Sequence, residues 1–424
     1  MSRSTAYTET WPQEQLSNVC EIEIGGTPAR GNPRFWARRG EAGFPWVAIS
    51  DMGPERIDQT AEQITQQGVN NSSTKLVPEG TILMSFKLTI GRTAVADTDL
   101  YTNEAIAAFY PISGRLADDW LYHILPQAAE QGSAEQAVKG KTLSKTKLQK
   151  LKIPVPPLAE QRRIAEILDA ADEAIRQSEH VIAKLQEVRK GLLHDLLTRG
   201  LDRDGNLRDP DAHPKQFKDS PLGRVPREWE IADLDALGTW RGGSTPSKSE
   251  PANWNEGTVI WLSPKDLKNS RLSTSEDKIT EYALSSSGLT IFDPGDVVVV
   301  FRSGILRHSF PVAVTDVPFT VNQDLKVLIP DSSVDRALAF WLLEGMGSLI
   351  LNKAVKAGTT VESIDPYAFY HLPVALPSPE EQRRIAPILN AEDVRIQAEV
   401  AALEKLRQVK RGLMDDLLTG HVRV

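Results

Sequence analysis

The side chains best equipped to grip an acceptor-rich partner fall in three short stretches. "SFKLTIGR" (85–92) carries Lys87 and Arg92 beside a glycine, and "FRSGILRHSF" (301–310) carries Arg302, Arg307 and His308 beside another. Lysine and arginine only donate hydrogen bonds. An arginine fork meets two acceptors at once, on a phosphate or on the edge of a guanine. Each stretch follows a Pro/Gly turn and an apolar β-type run, "VPEGTILMSF" (77–86) and "FDPGDVVVVF" (292–301). The cations are therefore expected on the loops that follow these strands. The third stretch, "VKGKTLSKTKLQKLK" (138–152), holds six lysines, Lys139 and Lys141 among them, and no acid.

The elements that must position these loops are spelled twice. "EQRRIA" occupies 160–165 and again 381–386, and at the same offset "KLQEVRKGLLHDLLTRG" (184–200) lies over "KLRQVKRGLMDDLLTGH" (405–421). Upstream, "WPQEQLSNV" matches "WEIADLDAL" through Trp11 and Trp229. "IGGTP" (24–28) matches "RGGSTP" (241–246), and "PWVAISDM" (45–52) matches "VIWLSPKDL" (259–267) through Trp46/Trp261 and Asp51/Asp266. "TNEAI" (102–106) echoes "VNQDL" (321–325). The order of features is the same in both halves, so the chain reads as a duplicated unit: a mixed, strand-containing domain followed by one long helix. Asn103 and Asn322 are shared by both halves and are expected to be structural turn residues.

The helices are the clearest structural expectation. Leu168, Ala171, Ile175, Ser178, Ile182, Leu185, Leu192 and Leu196 follow alternating three- and four-residue steps, interrupted by Arg189. Leu389, Ile396, Leu403, Leu406, Leu413 and Leu417 occupy the matching positions. A seam held this long belongs to helices that pair with each other. Ser378, Pro379 and Glu381 read as N-cap, first helical residue and capping-box partner; Pro387 predicts a kink, and Gly200 and Gly420 are the stops.

Bulk properties narrow the class. A chain of 424 residues exceeds one compact core, and 40% hydrophobic with 25% charged residues is globular composition. One cysteine, Cys20, excludes an internal disulfide framework and fits a reducing, cytoplasmic setting. The amino-terminal stretch has no apolar core of a secretory signal, and the most apolar run (337–351) is too short to span a bilayer. The formal charge of −8 disfavours a polyanionic partner, but net charge misleads when basic residues are segregated, as they are here.

Catalytic signatures are missing. "GKT" (140–142) lacks the phosphate-loop glycine at 135, where Glu135 stands; "DPYAF" (365–369) lacks the second proline of the amino-methyltransferase motif. The seven histidines show no metal-ligand spacing, and no serine sits in G-x-S-x-G. The sequence describes a binding protein rather than an enzyme.

On "PLAEQRRIAEILD" (157–169), "PSPEEQRRIAPIL" (377–389), the "KGLLHDLLT" and "RGLMDDLLT" tails, "SPLGRVPREW" (220–229) and the GG(S)TP turns, the chain resembles the specificity subunits of type I restriction–modification systems. The resemblance implies an α+β architecture. Two mixed α/β target-recognition domains (1–155 and 228–376) would each be followed by a conserved helix (156–200 and 377–424), with a linker at 201–227. The helices would pair as an antiparallel coiled coil, giving an internal pseudo-twofold repeat. Each domain would read one half of a split, asymmetric double-stranded DNA site.

The resemblance further implies docking of two methyltransferase subunits, with restriction and motor subunits joining through the complex. S-adenosylmethionine, ATP and magnesium would belong to those partners and none to this chain. Lys87, Arg92, Lys139, Lys141, Arg302, Arg307 and His308 are the candidate DNA contacts. Arg162, Arg163, Arg383 and Arg384 of the repeated hexamer are the candidate docking residues. A coiled-coil scaffold for protein partners is the competing reading; it explains the helices but not two diverged domains.

Overall fold

The structure, a computed structural model, describes residues 11–38, 40–134, 143–356 and 361–424. The chain divides into two units, 1–179 with 402–424, and 180–401.

The first unit is organised by a five-stranded sheet in the order Cys20–Ile24, Ile106–Pro111, Ile82–Ser85, Thr93–Ala96, Arg56–Ile57. All neighbours are antiparallel except the last pair. The central strand is buried throughout because both faces are covered. Ile82 and Met84 pack with Trp120, Leu121 and Leu125 of the helix Asp118–Ala134, while Leu83 joins Val47, Ile57 and Ile106 on the other face. That alternation is the period of two that a pleated strand imposes. A smaller sheet runs Glu62–Ile64, Phe44–Val47, Leu100–Thr102, Leu76–Val77.

The second unit repeats the plan. Its sheet runs Gly238–Gly242, Leu325–Pro330, Val297–Val300, Val312–Thr315, Arg271–Leu272, again antiparallel until a final parallel pair. Its smaller sheet is Lys278–Ile279, Val259–Leu262, Phe319–Val321, and a bridge from Phe292 to Phe319 stands where the first unit has a fourth strand. Asp51 and Asp266 do the same work in each. Asp51 accepts from the amides of Ala48 and Ala61, and Asp266 from those of Ser263 and Glu276.

The long helices are Leu158–Thr198 and Pro379–Leu418. The first part of one and the last part of the other belong to the first unit, and the remaining parts to the second. Gly200 and Gly420 follow their ends with φ of 63° and 76°, a left-handed turn that glycine adopts without the Cβ penalty. The second helix runs through Pro387 without interruption. Its expected capping box is only half made. The Glu381 amide donates to Ser378 Oγ at 3.3 Å, but the Glu381 carboxylate does not turn back to the cap.

That carboxylate is buried and engaged elsewhere. It accepts from Trp229 Nε1 (3.0 Å), the Leu201 amide (2.7 Å) and Arg208 (2.6 Å). Glu160 does the same in the first unit, accepting from Trp11 Nε1 (3.2 Å) and Arg423 (2.6 Å), and these donors hold its carboxyl below the usual range. The next residue is buried too. Gln161 bonds the carbonyls of Pro156 and Arg115 and the amide of Ala117; Gln382 bonds the carbonyls of Pro377 and Ser333 and the amide of Asp335. The repeated Glu-Gln pair thus fastens each helix start to its own domain, because buried polar groups demand partners.

The interruption of the apolar seam at Arg189 also has a partner. Arg189 pairs with Asp393 of the other helix (3.5 Å) and with Glu344 (3.4 Å). In the first unit Lys410 pairs with Asp172, and Arg407 with Glu179 (2.7 Å). Residues 201–227, expected as a linker, are folded. They form a turn at Pro214–Gln216 and a hairpin of Phe217–Ser220 with Gly223–Pro226. Cys20 is buried, which pushes its thiol up to about 12 and leaves it unreactive.

Candidate nucleic-acid interface

The two cation-bearing segments are equivalent hairpin loops. One joins Ile82–Ser85 to Thr93–Ala96, the other Val297–Val300 to Val312–Thr315, each at the same place in its sheet. The buried Phe86 and Phe301 start both loops. The Phe86 amide bonds the carbonyl of Ala105 (3.0 Å), and the Phe301 amide bonds that of Asp324 (2.8 Å). Lys87 and Arg302 follow immediately and so stand beside the segments 102–106 and 321–325.

Lys87 is half-buried, its ammonium 5.5 Å from the Phe86 ring centre. Arg92 is exposed, and among the described residues its side chain makes no ion pair. Leu88, between them, is 78% exposed at a φ of 63°. A non-glycine residue in that region costs roughly 1–2 kcal/mol, a strain that recurs at functional loops. In the second unit Arg302 is exposed and pairs with Asp324 (2.9 Å). Arg307 is exposed and pairs with Glu362 (2.5 Å), on a turn Gly304–Arg307 capped by Ser303. Arg307, with a contribution from the exposed His308, holds the Glu362 carboxyl below its usual range. Lys139 and Lys141 lie outside the described residues; Lys145, Lys147, Lys150 and Lys152 of the same run are exposed around the short helix Lys145–Lys150.

The hexamer arginines are not equivalent. Arg162 is exposed and makes no ion pair among the described residues, and Arg163 pairs with Glu166 on its own helix (3.0 Å). Arg383 is exposed and donates to the Pro379 carbonyl (3.1 Å). Arg384 is half-buried and donates to the carbonyls of Asp202 (2.7 Å) and Arg203 (3.3 Å), so it binds the folded segment after the first helix.

Two further residues join these loops that sequence reasoning passed over. Glu104 and Gln323 are exposed at matching positions, and each is held by the threonine of a GG(S)TP turn. Thr27 donates to the Glu104 carboxylate, and Thr245 to Gln323 Oε1 at 2.6 Å. Asn103 and Asn322 are the turn residues expected: each side chain accepts from the amide two residues on, at 2.9 and 3.0 Å. The signal was present in "TNEAI" against "VNQDL", where the shared asparagine precedes a position that changes chemistry. Among the described residues no group of His, Cys, Asp and Glu could hold a metal ion, and no helix is long and apolar enough to cross a membrane.

The sequence family described as type I restriction modification DNA specificity domain matches this chain twice, over residues 8–187 and 226–408. The chain belongs to that family. The type I restriction enzyme EcoR124I/EcoR124II specificity subunit of Escherichia coli is 34% identical over 205 residues, 48% of this chain and 51% of that one. The match thus spans about half the length of that relative. The putative type I restriction enzyme MjaX specificity subunit of Methanocaldococcus jannaschii is 24% identical over 98% of this chain and 94% of its own. The fold of this specificity-domain protein is shared with solved structures. The S subunit of a type I restriction-modification system from M. genitalium covers 98% of both chains with a TM-score of 0.59 and 13% identity. A chain from a type I R-M assembly covers 99% of this one and 100% of its own at 0.58 and 18%.

Proposed function

We propose that this chain is the non-catalytic DNA-specificity subunit of a type I restriction–modification complex and reads a bipartite, asymmetric duplex site, one half with each unit. The observation that carries the reading is the recurrence of a cationic hairpin loop at the same position of two sheets with the same strand order. A shared frame with diverged loops is what two different half-sites require. Arg92, Arg302, Arg307 and His308 are exposed donors on these loops, with Lys87 beside them, able to meet phosphates or base edges. Lys139 and Lys141 belong to the same cationic proposal.

The two long helices act as a spacer, pairing antiparallel in a coiled coil with an internal pseudo-twofold. The ion pairs Lys410–Asp172 and Arg189–Asp393 support this, because each joins the early part of one helix to the late part of the other. Forty helical residues extend ~60 Å at 1.5 Å each, ample to hold two readers one DNA turn (~34–36 Å) apart. Arg162, Arg163 and Arg383 offer matched docking points for two modification subunits; Arg384 is tied to the chain itself. S-adenosylmethionine is held by those subunits, and ATP with magnesium by motor subunits, in the cytoplasm.

The test is reconstitution. The chain alone should transfer no methyl group and hydrolyse no ATP; with its modification subunit and S-adenosylmethionine it should give adenine methylation at one bipartite sequence. Mass measurement should find two modification subunits per chain, weakened by charge reversal at Arg162 or Arg383. Absence of any sequence-specific DNA binding by the assembled complex would favour the scaffold reading.

A further inference from the structure

We propose that Glu104 and Gln323 are specificity-determining residues at equivalent positions, Glu104 taking an exocyclic amino group of a base, cytosine first, and Gln323 taking the edge of an adenine. This rests on the reading of the chain as a DNA-specificity subunit.

The frame around both residues is built identically. The glycine before the turn lies against the carbonyl that precedes the asparagine. A Cβ on Gly25 would stand 2.1 Å from Thr102 O, and one on Gly243 would stand 1.7 Å from Val321 O, so only glycine lets the turn close. Trp46 Nε1 donates to the Gly26 carbonyl and Trp261 Nε1 to that of Ser244, both at 3.0 Å, which fixes the turn from below. Trp36 and Trp254 stack edge-on to them at 4.9 and 5.2 Å. The threonine is thereby aimed at the exposed tip residue, and the asparagine turn aims the tip residue at the threonine.

An exposed Glu or Gln is normally free to rotate; ordering it costs on the order of 1.5–2 kcal/mol of side-chain entropy. Here that order is installed in advance, as preorganised recognition requires. The scaffold is conserved between the halves, and the hydrogen-bonding character of its tip is not.

The two tips offer different chemistry. The Thr27 hydroxyl, helped by the charges of Lys87 and Arg30, holds the Glu104 carboxyl below its usual range, so it stays an acceptor only. Carboxylates match the amino group of cytosine in the major groove. Gln323 is anchored through Oε1, which keeps a second lone pair, while its amide N–H groups point away from the hydroxyl. One donor and one acceptor side by side fit N7 and the amino group of adenine. Lys87 and Arg302, one on each neighbouring loop, place a positive charge beside each tip. Arg302 is kept in place by Asp324, the residue after Gln323.

The experiment reads the methylated motif and the DNA selected from a random pool by the complex carrying Glu104→Gln, Gln323→Glu, Thr27→Val or Thr245→Val. Each exchange should change or relax one base position by about tenfold to a hundredfold in the half-site of its own unit, leaving the other half-site's letters as they were. The threonine variants should blur the same position as their tip residue without imposing a new letter. Unchanged letters in both exchanges would overturn the proposal, as would equal weakening across all sequences, the mark of a phosphate contact. Loss of fold in Glu104→Gln or Gln323→Glu would equally contradict it, since these two side chains are exposed. Failure of the wild-type complex to select any bipartite site would instead sink the underlying functional reading.

Discussion

The two units use the same positions for different jobs at the surface and for one job inside. Trp11–Glu160–Arg423 and Trp229–Glu381–Arg208 anchor the two helix starts alike, and Lys410–Asp172 answers Arg189–Asp393. A third pair changes its chemistry while keeping its geometry. The buried His123 bonds Asp169 through Nε2 at 2.7 Å, where the second unit has Trp341 Nε1 donating to Asn390 at 2.9 Å. At the surface, Lys87 corresponds to Arg302 in the repeat, and Glu104 to Gln323. Positions that hold domain to helix keep the same contact even where both residues change. Positions at loop tips change what they offer, and under the proposed function that freedom lets one duplicated frame read two sequences.

The largest contrast is expected at the anchors. Glu381 and Arg208 are both nearly inaccessible, whereas Arg423 keeps about a third of its side-chain surface. Glu381→Ala strands a buried guanidinium and should cost about 3–5 kcal/mol in denaturant unfolding. Glu160→Ala, whose partner can turn to water, should cost nearer 1.5–3 kcal/mol. Equal losses would remove the distinction between the two anchors.

Next in size are the loop cations. Arg302→Ala should cost ~1–3 kcal/mol of discrimination at one base of one half-site if it reads a base. Arg307 is paired with Glu362 and not with the 321–325 segment that carries Gln323, so Arg307→Ala should instead lower affinity evenly and reduce the salt dependence of binding. Selection from a random DNA pool separates the two outcomes.

The smallest effect is on pH. Burial lowers the pKa of His123 from its ordinary 6.5, against the opposing pull of Asp169 and Asp172, while Lys410 adds to the lowering. The unfolded chain therefore takes up a proton near pH 6.5 that the folded chain refuses. Stability should be flat above that point and fall as pH drops from about 6.5 towards the depressed value. Hydrogen exchange should show the loosening in Asp118–Ala134 and not around Trp341, and His123→Gln should abolish it.

The repeat, the helices, their glycine stops and the hairpins were legible in the sequence because each has a local signature: period, turn chemistry or literal recurrence. The role of "EQRRIA" was not. Charged residues in a hexamer read as exposed, yet Glu160 and Glu381 are buried because Trp11, Arg423, Trp229 and Arg208 reach them from more than 100 residues away. Arg384 is occupied by carbonyls of a segment that composition marks as linker. Arg189 looked like a flaw in the seam until Asp393 was seen across from it. Long-range partners carry no periodicity, so only the fold reveals them.

Under the proposed function two readers stand on a helical ruler, and one measurement meets that reading directly. Four residues inserted in each long helix add one turn, ~6 Å at 1.5 Å per residue. The methylated motif of the assembled complex is then compared with that of the wild type. The half-site letters should stay the same and the unread gap between them should lengthen; altered letters with an unchanged gap would contradict the account.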